Sequence, residues 1–462
     1  MNIILYIFDA LRPDFLGCYG FNKKTSPQLD LLARDGVIYE NAFSATTWTK
    51  AAAVPIIASQ FPRSLRMMHE TDIMPDYQNT LPKVLKRHGF QCYAISANIF
   101  FSPNFGFSGF DQFSDLQLDK ELQQKRPKDA EAENQFLEKI KVDKMILPFS
   151  EDINQKIFSI LEKNKEAKKK FIMAWSIDTH SPFFIRDSKS FFGNSLTDFI
   201  RGREVNERNV EKVKSLYCDM IRYNDYHLGQ LILKLKKEGL YKNSLIIVTA
   251  DHGESFGEHR WILKKPTFGH SGVVYEEVIK VPLIVKYPQN KFAGKRYSTP
   301  AQLADIYPTI LDVGGIKANE IEIEGQSLNP LSFPDNQERI IFTESQIDPF
   351  SIHSASVRIG DKKLIKVDTR FYFGKNLKKI ARNILEKLQI PSIQFYDLSS
   401  DPKEQRNLAK KRKKDTKYFL EKYYEIIKKC DEKAKPFEKE QEKIALNEEV
   451  KKRLKSLGYF ND

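Results

Sequence analysis

Asp251-His252, with Gly253 directly behind, sets a carboxylate beside an imidazole at the end of the apolar run Leu245-Ile246-Ile247-Val248. One hard oxygen and one nitrogen make a sensible ligand pair for Zn²⁺ or Mn²⁺. A second carboxylate, Asp9, closes the opening run M-N-I-I-L-Y-I-F-D in the same way. Each residue alone has an ordinary explanation, the aspartates as caps or turn-formers and the histidine as a packed ring. As a set they predict a metal site. Parallel strands deliver their carboxyl ends to one sheet edge, which is where open α/β sheets take their ligands.

The elements that must carry these residues follow from the pattern of the chain. Short continuous runs of β-branched and aliphatic residues mark strands buried on both faces. Such runs alternate with helical spacing through roughly the first 335 residues, as an α/β sheet covered by helices requires. Helices are expected at 27–35, 51–59, 81–88, 210–239 and 301–312. Strands are expected at 37–39, 91–96, 171–177 and 281–285. Residues 119–168 are polar and charge-rich and are expected to be outer helices. From about Glu338 the runs shorten, which predicts a small antiparallel sheet within 336–405. A charged helical tail follows over 406–462.

Bulk properties narrow the classes. The chain has 462 residues, 41% of them hydrophobic, and a net charge of +13. The last sixty residues hold 19 Lys/Arg and 12 Asp/Glu, so +7 of the excess sits in that tail. There the signs alternate as on a solvated helical face, and no aromatic platform or basic repeat accompanies them, so no nucleic-acid partner is expected. No apolar stretch approaches the ~20 residues of a membrane helix. The apolar start runs straight into Asp9 and is expected to belong to the fold rather than to a secretion signal. Four scattered cysteines without C-x-x-C spacing fit free thiols in a reducing compartment, and the expectation is a cytoplasmic protein.

Longer stretches carry a resemblance. D-A-L-R-P-D-F-L-G-C-Y-G, T-S-P-Q-L-D-L-L-A-R-D-G-V-I-Y-E-N-A-F, G-F-S-G-F-D, D-T-H-S-P-F, T-A-D-H-G-E-S-F-G-E-H, Y-E-E-V-I-K-V-P-L-I-V, D-I-Y-P-T-I-L-D-V-G-G-I and F-Y-D-L-S-S-D-P-K-E-Q-R-N-L occur in an order and spacing that resemble the sulfatase family of the alkaline-phosphatase superfamily. The resemblance runs nearly end to end. It implies a large mixed, mostly parallel sheet sandwiched by helices, with a small C-terminal antiparallel sheet. It also implies Asp9, Asp251 and His252 as metal ligands and His180 and His270 as contacts to substrate or leaving group.

The chain departs from that family where the chemistry begins. The second carboxylate of the family's opening pair is Ala10 here. The C/S-x-P-S-R stretch that yields formylglycine aligns with Thr49-Lys50-Ala51-Ala52-Ala53, so formylglycine is excluded. Formylglycine hydrate expels sulfate by collapsing to an aldehyde, an exit that threonine lacks. A phosphothreonine, in contrast, is open to in-line attack by water. Threonine is also the nucleophile of related phosphodiesterases and phosphotransferases in the superfamily, which tilts the expectation from sulfate toward phosphate esters. Thr49 also fits an N-cap before the apolar helix, a place where amide dipoles would favour an incoming anion.

The expected site is therefore one divalent ion, Mn²⁺ or Zn²⁺ before Ca²⁺ or Mg²⁺, held by Asp9, Asp251, His252 and Thr49. Asp225, His227 and His259 are the remaining donors by position for a second ion. His180 and His270 are the expected acid–base pair, with Asn98, Lys264 and Lys265 as substrate contacts. The substrate expected is a small or glycan- or lipid-linked anionic ester. The alternatives are a sulfatase working without formylglycine and, on the strength of Ala10 and Ala53, a degenerate binding protein.

Overall fold

The computed structural model describes residues 1–119, 148–187, 190–195, 197–260, 266–270, 272–318, 321–334, 337–346, 352–369 and 390–438. Lys264 and Lys265, most of the polar 119–168 region and the end of the tail lie outside them.

Eight strands form the central sheet: β1 (Asn2–Phe8), β2 (Val37–Tyr39), β3 (Gln91–Ser96), β4 (Gln112–Asp115), β5 (Lys170–Ser176), β6 (Ser244–Ala250), β7 (Leu283–Lys286) and β8 (Lys295–Tyr297). Their order is β8-β2-β7-β6-β1-β5-β3-β4. β1 lies at the centre, parallel to both β5 and β6, and the three are buried along their whole length. That burial on both faces is why they read as unbroken apolar runs. β7 runs antiparallel to β6 and β2, which makes the sheet mixed. The strand expected over 281–285 divides at Pro282, which has no N–H for a ladder. Lys280–Val281 pairs with Ala42–Phe43 instead, and β7 begins at Leu283.

Helices α1 (Pro27–Asp35), α2 (Thr49–Ala58), α3 (Leu81–Arg87), α4 (Ser150–Lys163), α5 (Val210–Lys237) and α6 (Ile306–Val313) flank the sheet. α2 is buried at every residue, so it shows no amphipathic stripe. It starts two residues earlier than its apolar pattern suggests. The helix expected over 301–312 is shorter: Ala301–Gln302 pairs as a strand and Leu303–Asp305 is a 3₁₀ turn. The Asp305 carboxylate takes the Gln302 N–H at 2.8 Å, which fixes that turn.

Beyond Glu338 lies a four-stranded antiparallel sheet of β9 (Ile340–Gln346), β10 (Ile352–Ile359), β11 (Lys362–Thr369) and β12 (Ile393–Asp397). α7 (Lys413–Ala434) packs on one face through Phe419 and Tyr423, which share an apolar cluster with Phe342, Val357 and Phe395. The other face meets Phe43, Val274 and Ile279 of the main body. Among the described residues no helix is long and apolar enough to cross a membrane.

Candidate active site

Register brings the site together. Phe8 is level with Ser176 on one side and Ala250 on the other, so Asp9 and Asp251 leave the sheet at the same height. Ser96 pairs with Trp175 on the next strand, which places Asn98 beyond the same edge. Residues 178–180 follow β5 to that edge as well.

Asp9, Asp251 and His252 are completely buried, and one ligand atom from each lies within 4.8 Å of the other two. His252 Nδ1 is committed to the Gly253 carbonyl at 2.8 Å. With Nδ1 carrying the proton, Nε2 is the electron-pair donor, 3.7 Å from Asp9 Oδ1 and 3.5 Å from Asp251 Oδ2. These same three atoms have no hydrogen-bond partner although they are sealed from solvent. Burial, reinforced by the Asp251 carboxylate, holds Asp9 well above the ordinary carboxylate range. Two carboxylate oxygens and an imidazole nitrogen, desolvated and unpaired, form a set that a divalent cation fits. The residues present are suited to the metal that the sequence predicts.

The backbone around them is held under constraint. Ala10 adopts φ 56°, unusual for a residue with a Cβ, and its N–H donates to Asp251 Oδ1 at 3.0 Å. Where a second carboxylate was expected from the family pattern, a backbone amide thus meets the metal-side aspartate. Tyr217 of α5 braces the turn, donating to the Ala10 carbonyl at 2.6 Å and accepting the Arg12 N–H at 2.9 Å. Gly253 is required sterically, since a Cβ there would stand 2.2 Å from the Glu277 carbonyl oxygen.

Thr49 is the first residue of α2, and the N-cap position belongs to Trp48. The capping role expected for Thr49 is therefore not the one its side chain plays. Its hydroxyl lies 3.5 Å from Asp9 Oδ2 as donor and accepts from Asn98 Nδ2 at 3.2 Å. Asn98 Nδ2 also donates to Asp9 Oδ2 at 2.5 Å, while its Oδ1 takes the Phe100 N–H at 2.9 Å. Asn98 is thus both a turn-former and the bridge between Thr49 and Asp9. The structure brings Asp9, Thr49, Asn98, Asp251 and His252 into one contiguous group.

His180 and His270 stand next to it. The His270 ring centroid is 4.2 Å from that of His252 and 5.3 Å from that of His180. Burial and the two neighbouring imidazoles push His270 well below the usual histidine range, so its ring is held neutral. His180 Nδ1 pairs with the Ser181 carbonyl at 2.7 Å.

Two residues that sequence reasoning passed over complete the picture. Glu254 Oε2 lies 3.2 Å from His270 Nδ1 and fixes that ring, and burial lifts its carboxyl to about 7. The signal was present, since Glu254 closes the D-H-G-E run, but no spacing rule links it to His270. Lys50 is fully buried beside Thr49, donating to the Glu70 and Asp72 carbonyls at 2.6 and 2.7 Å. Desolvation drops its pKa to about 7.

The donors considered for a second ion lie elsewhere. Asp225 accepts the N–H groups of Gln28 and Leu29 at the start of α1. His227 packs against Tyr223. His259 stacks on Tyr275 and pairs with Glu277 at 2.8 Å. Glu404 completes a His259–Glu277–Glu404 group, but Lys363 Nζ lies 2.8 Å from Glu404 and already serves as its cation.

Known proteins resemble this chain along most of its length. A family model described as sulfatase matches residues 1–316. An arylsulfatase of Clostridium perfringens is 23% identical over 88% of this chain and 90% of its own length. An N-acetylglucosamine-6-O-sulfatase of Bacteroides thetaiotaomicron is 22% identical over 88% and 82%. Among solved structures, the phosphonate monoester hydrolase of Agrobacterium radiobacter superposes with a TM-score of 0.67 at 17% identity, covering 93% of this chain and 96% of that one. A protein solved with its substrate D-glucosamine-2-N,6-O-disulfate gives 0.65 at 19% identity, covering 95% and 98%.

Proposed function

We propose, from the premise that the chain belongs to the sulfatase family and is an ester hydrolase of the alkaline-phosphatase superfamily, that Thr49 is its nucleophile and phosphate-type esters are its substrates. The observation that carries this reading is the Thr49 hydroxyl, sealed at the start of α2 and within reach of both Asp9 and Asn98. A divalent ion held by Asp9, Asp251 and His252 would polarise the ester and offset the charge gathering on its oxygens.

The chain's own residues account for the rest. The Thr49 proton has a path to Asp9 Oδ2, and Asn98 fixes the oxygen lone pair by donating to it. As the Thr49 Oγ–P bond forms and the P–O bond to the leaving group breaks, the departing alkoxide needs a proton. The Glu254 carboxyl, handing a proton to Nδ1 of the neutral His270 ring as the ring gives up its Nε2 proton, and His180 are the groups placed to supply it. The N–H groups of the first turn of α2 would add to the stabilisation of the charge on the ester oxygens. Water, or an acceptor alcohol, then attacks phosphorus and returns Thr49 to its hydroxyl form. The four unpaired cysteines support a reducing, cytoplasmic setting.

The relatives named as sulfatases favour a second reading, sulfate-ester hydrolysis on a glycan without formylglycine. A single panel separates the two. Purified protein is offered p-nitrophenyl phosphate, bis-p-nitrophenyl phosphate, p-nitrophenyl phenylphosphonate and p-nitrophenyl sulfate, with and without Mn²⁺ or Zn²⁺ and with Thr49→Ala as control. The expected result is phosphorus-ester turnover that falls about 10³-fold or more in Thr49→Ala. Sulfate turnover that survives the substitution would overturn the mechanism.

A further inference from the structure

The C-terminal sheet contacts the two segments that carry both halves of the proposed chemistry. Three consecutive residues of β9 run along the segment that leads into α2. Thr343 Oγ1 donates to the Ser44 carbonyl at 2.7 Å and the Glu344 N–H to the Ala45 carbonyl at 3.0 Å. Ser345 Oγ lies 2.6 Å from Thr47 Oγ1, two residues before Thr49. Ser345 also accepts the N–H of Gly272 at 3.1 Å, two residues after His270. Its cross-strand partner on β10 is Ser354, whose hydroxyl donates to the Gly272 carbonyl at 2.8 Å. One glycine thus has both backbone polar groups held by a facing pair of serines, and one of that pair holds the nucleophile segment too. Thr47, Ser345 and Ser354 are all sealed from solvent, so water cannot replace these bonds.

We propose that Ser345 and Ser354 are positioning residues that fix the separation between the Thr49 hydroxyl and the His270 ring. The role rests on the reading of Thr49 as nucleophile and His270 as leaving-group acid. Displacement of reacting groups by about 1 Å costs on the order of 10²-fold in rate, so a buried clamp on both loops acts on kcat rather than on binding. Each serine reaches a different half of the site. Ser345 constrains both loops, whereas Ser354 constrains only the loop bearing His270.

The test is steady-state kinetics on the best phosphorus ester of the panel, in its phenyl and p-nitrophenyl forms, using the full chain. Ser345→Ala is expected to lower kcat about 10- to 100-fold with KM unchanged. Ser345→Thr, which keeps the hydroxyl, should restore most of the loss. Thr47→Val combined with Ser345→Ala should cost no more than Ser345→Ala alone, since the two share one bond. Ser354→Ala should penalise the phenyl ester more than the p-nitrophenyl ester, because the poorer leaving group depends more on its acid. A wild-type kcat in Ser345→Ala, failure of Ser345→Thr to rescue, or equal penalties on both esters in Ser354→Ala overturns the clamp. Thr49→Ala assayed in parallel separates the two ideas. If it stays active the nucleophile assignment fails whatever the serines do, and if it is dead while Ser345→Ala is normal only the clamp fails.

Discussion

At Asp9 a buried carboxylate lies beside that of Asp251, and the cost of desolvating both favours a cation at that place. Among the described residues, the side-chain hydrogen bonds that Asp9 accepts come from the Asn98 amide and the Thr49 hydroxyl. Asn98→Ala should therefore both slow the reaction and weaken metal affinity, by about 10- to 100-fold in at least one of them, measured by kinetics and by titration calorimetry with Mn²⁺. Glu254 makes a sharper case. It touches no expected metal ligand atom but holds His270 Nδ1, so Glu254→Ala should lower kcat by about tenfold or more while the Mn²⁺ affinity stays near that of the parent. An unchanged kcat would remove Glu254 from the machinery.

At the scale of elements, the site depends on how helices are tied to strand ends. α5 reaches across the sheet: Asn224 donates to Ser176 Oγ at 2.6 Å, and Tyr217 props the Ala10 turn. The next residue of α5, Asp225, takes two N–H groups of α1 and is fully buried, with its carboxyl lifted to about 7 by that burial. A folded pKa above the unfolded value means that the folded state favours the proton. The contribution of Asp225 is complete below about pH 4 and fades as the pH climbs toward 7. Urea unfolding from pH 4 to 8 should show the parent losing stability across that window relative to Asp225→Asn, whose amide does not titrate. Asp225→Ala, which strips the first turn of α1 of its acceptor, should cost about 1–2 kcal/mol relative to Asp225→Asn at any pH in the range, since neither side chain titrates. A pH-independent difference between parent and Asp225→Asn would contradict the assignment.

For the whole molecule, the main sheet and the C-terminal sheet share their apolar interior. Phe43, Val274 and Ile279 pack with Ile341, Ile365 and Tyr396, and Ala45 and Phe61 with Phe342 and Phe395. Between them the Glu344 carboxylate, buried against Arg63 and His353, adds charge-assisted bonds. A chain ended at residue 337 would expose both clusters, and it is expected to aggregate or bind a hydrophobic dye instead of unfolding cooperatively. Metal acts at the same scale, because an ion that binds only the folded chain stabilises all of it. At 100 times its dissociation constant the gain is about 2.7 kcal/mol. Mn²⁺ or Zn²⁺ should therefore raise the melting temperature, EDTA should reverse it, and Asp251→Asn should abolish the shift, all readable without any substrate.

Much of the site was written locally. Asp9 and Asp251-His252 follow apolar runs that read as buried strands, and parallel strands deliver their carboxyl ends to one edge. Thr49 stood out because its neighbours in the chain resemble a known pattern from which it departs. What the sequence left open was whatever depends on contacts between distant segments. Thr49 could cap α2 or face Asp9, and only the close approach of β1 and the β3 turn, through Asn98, turned its hydroxyl to the second use. Glu254 and His270 are sixteen residues apart with an irregular hairpin between them, so no periodicity joins them. No local pattern singles out Ser345 or Ser354. They meet Thr47 and Gly272 because the C-terminal sheet docks on the main body with their face inward, and docking is decided by the summed burial of side chains from both parts, which no single segment encodes.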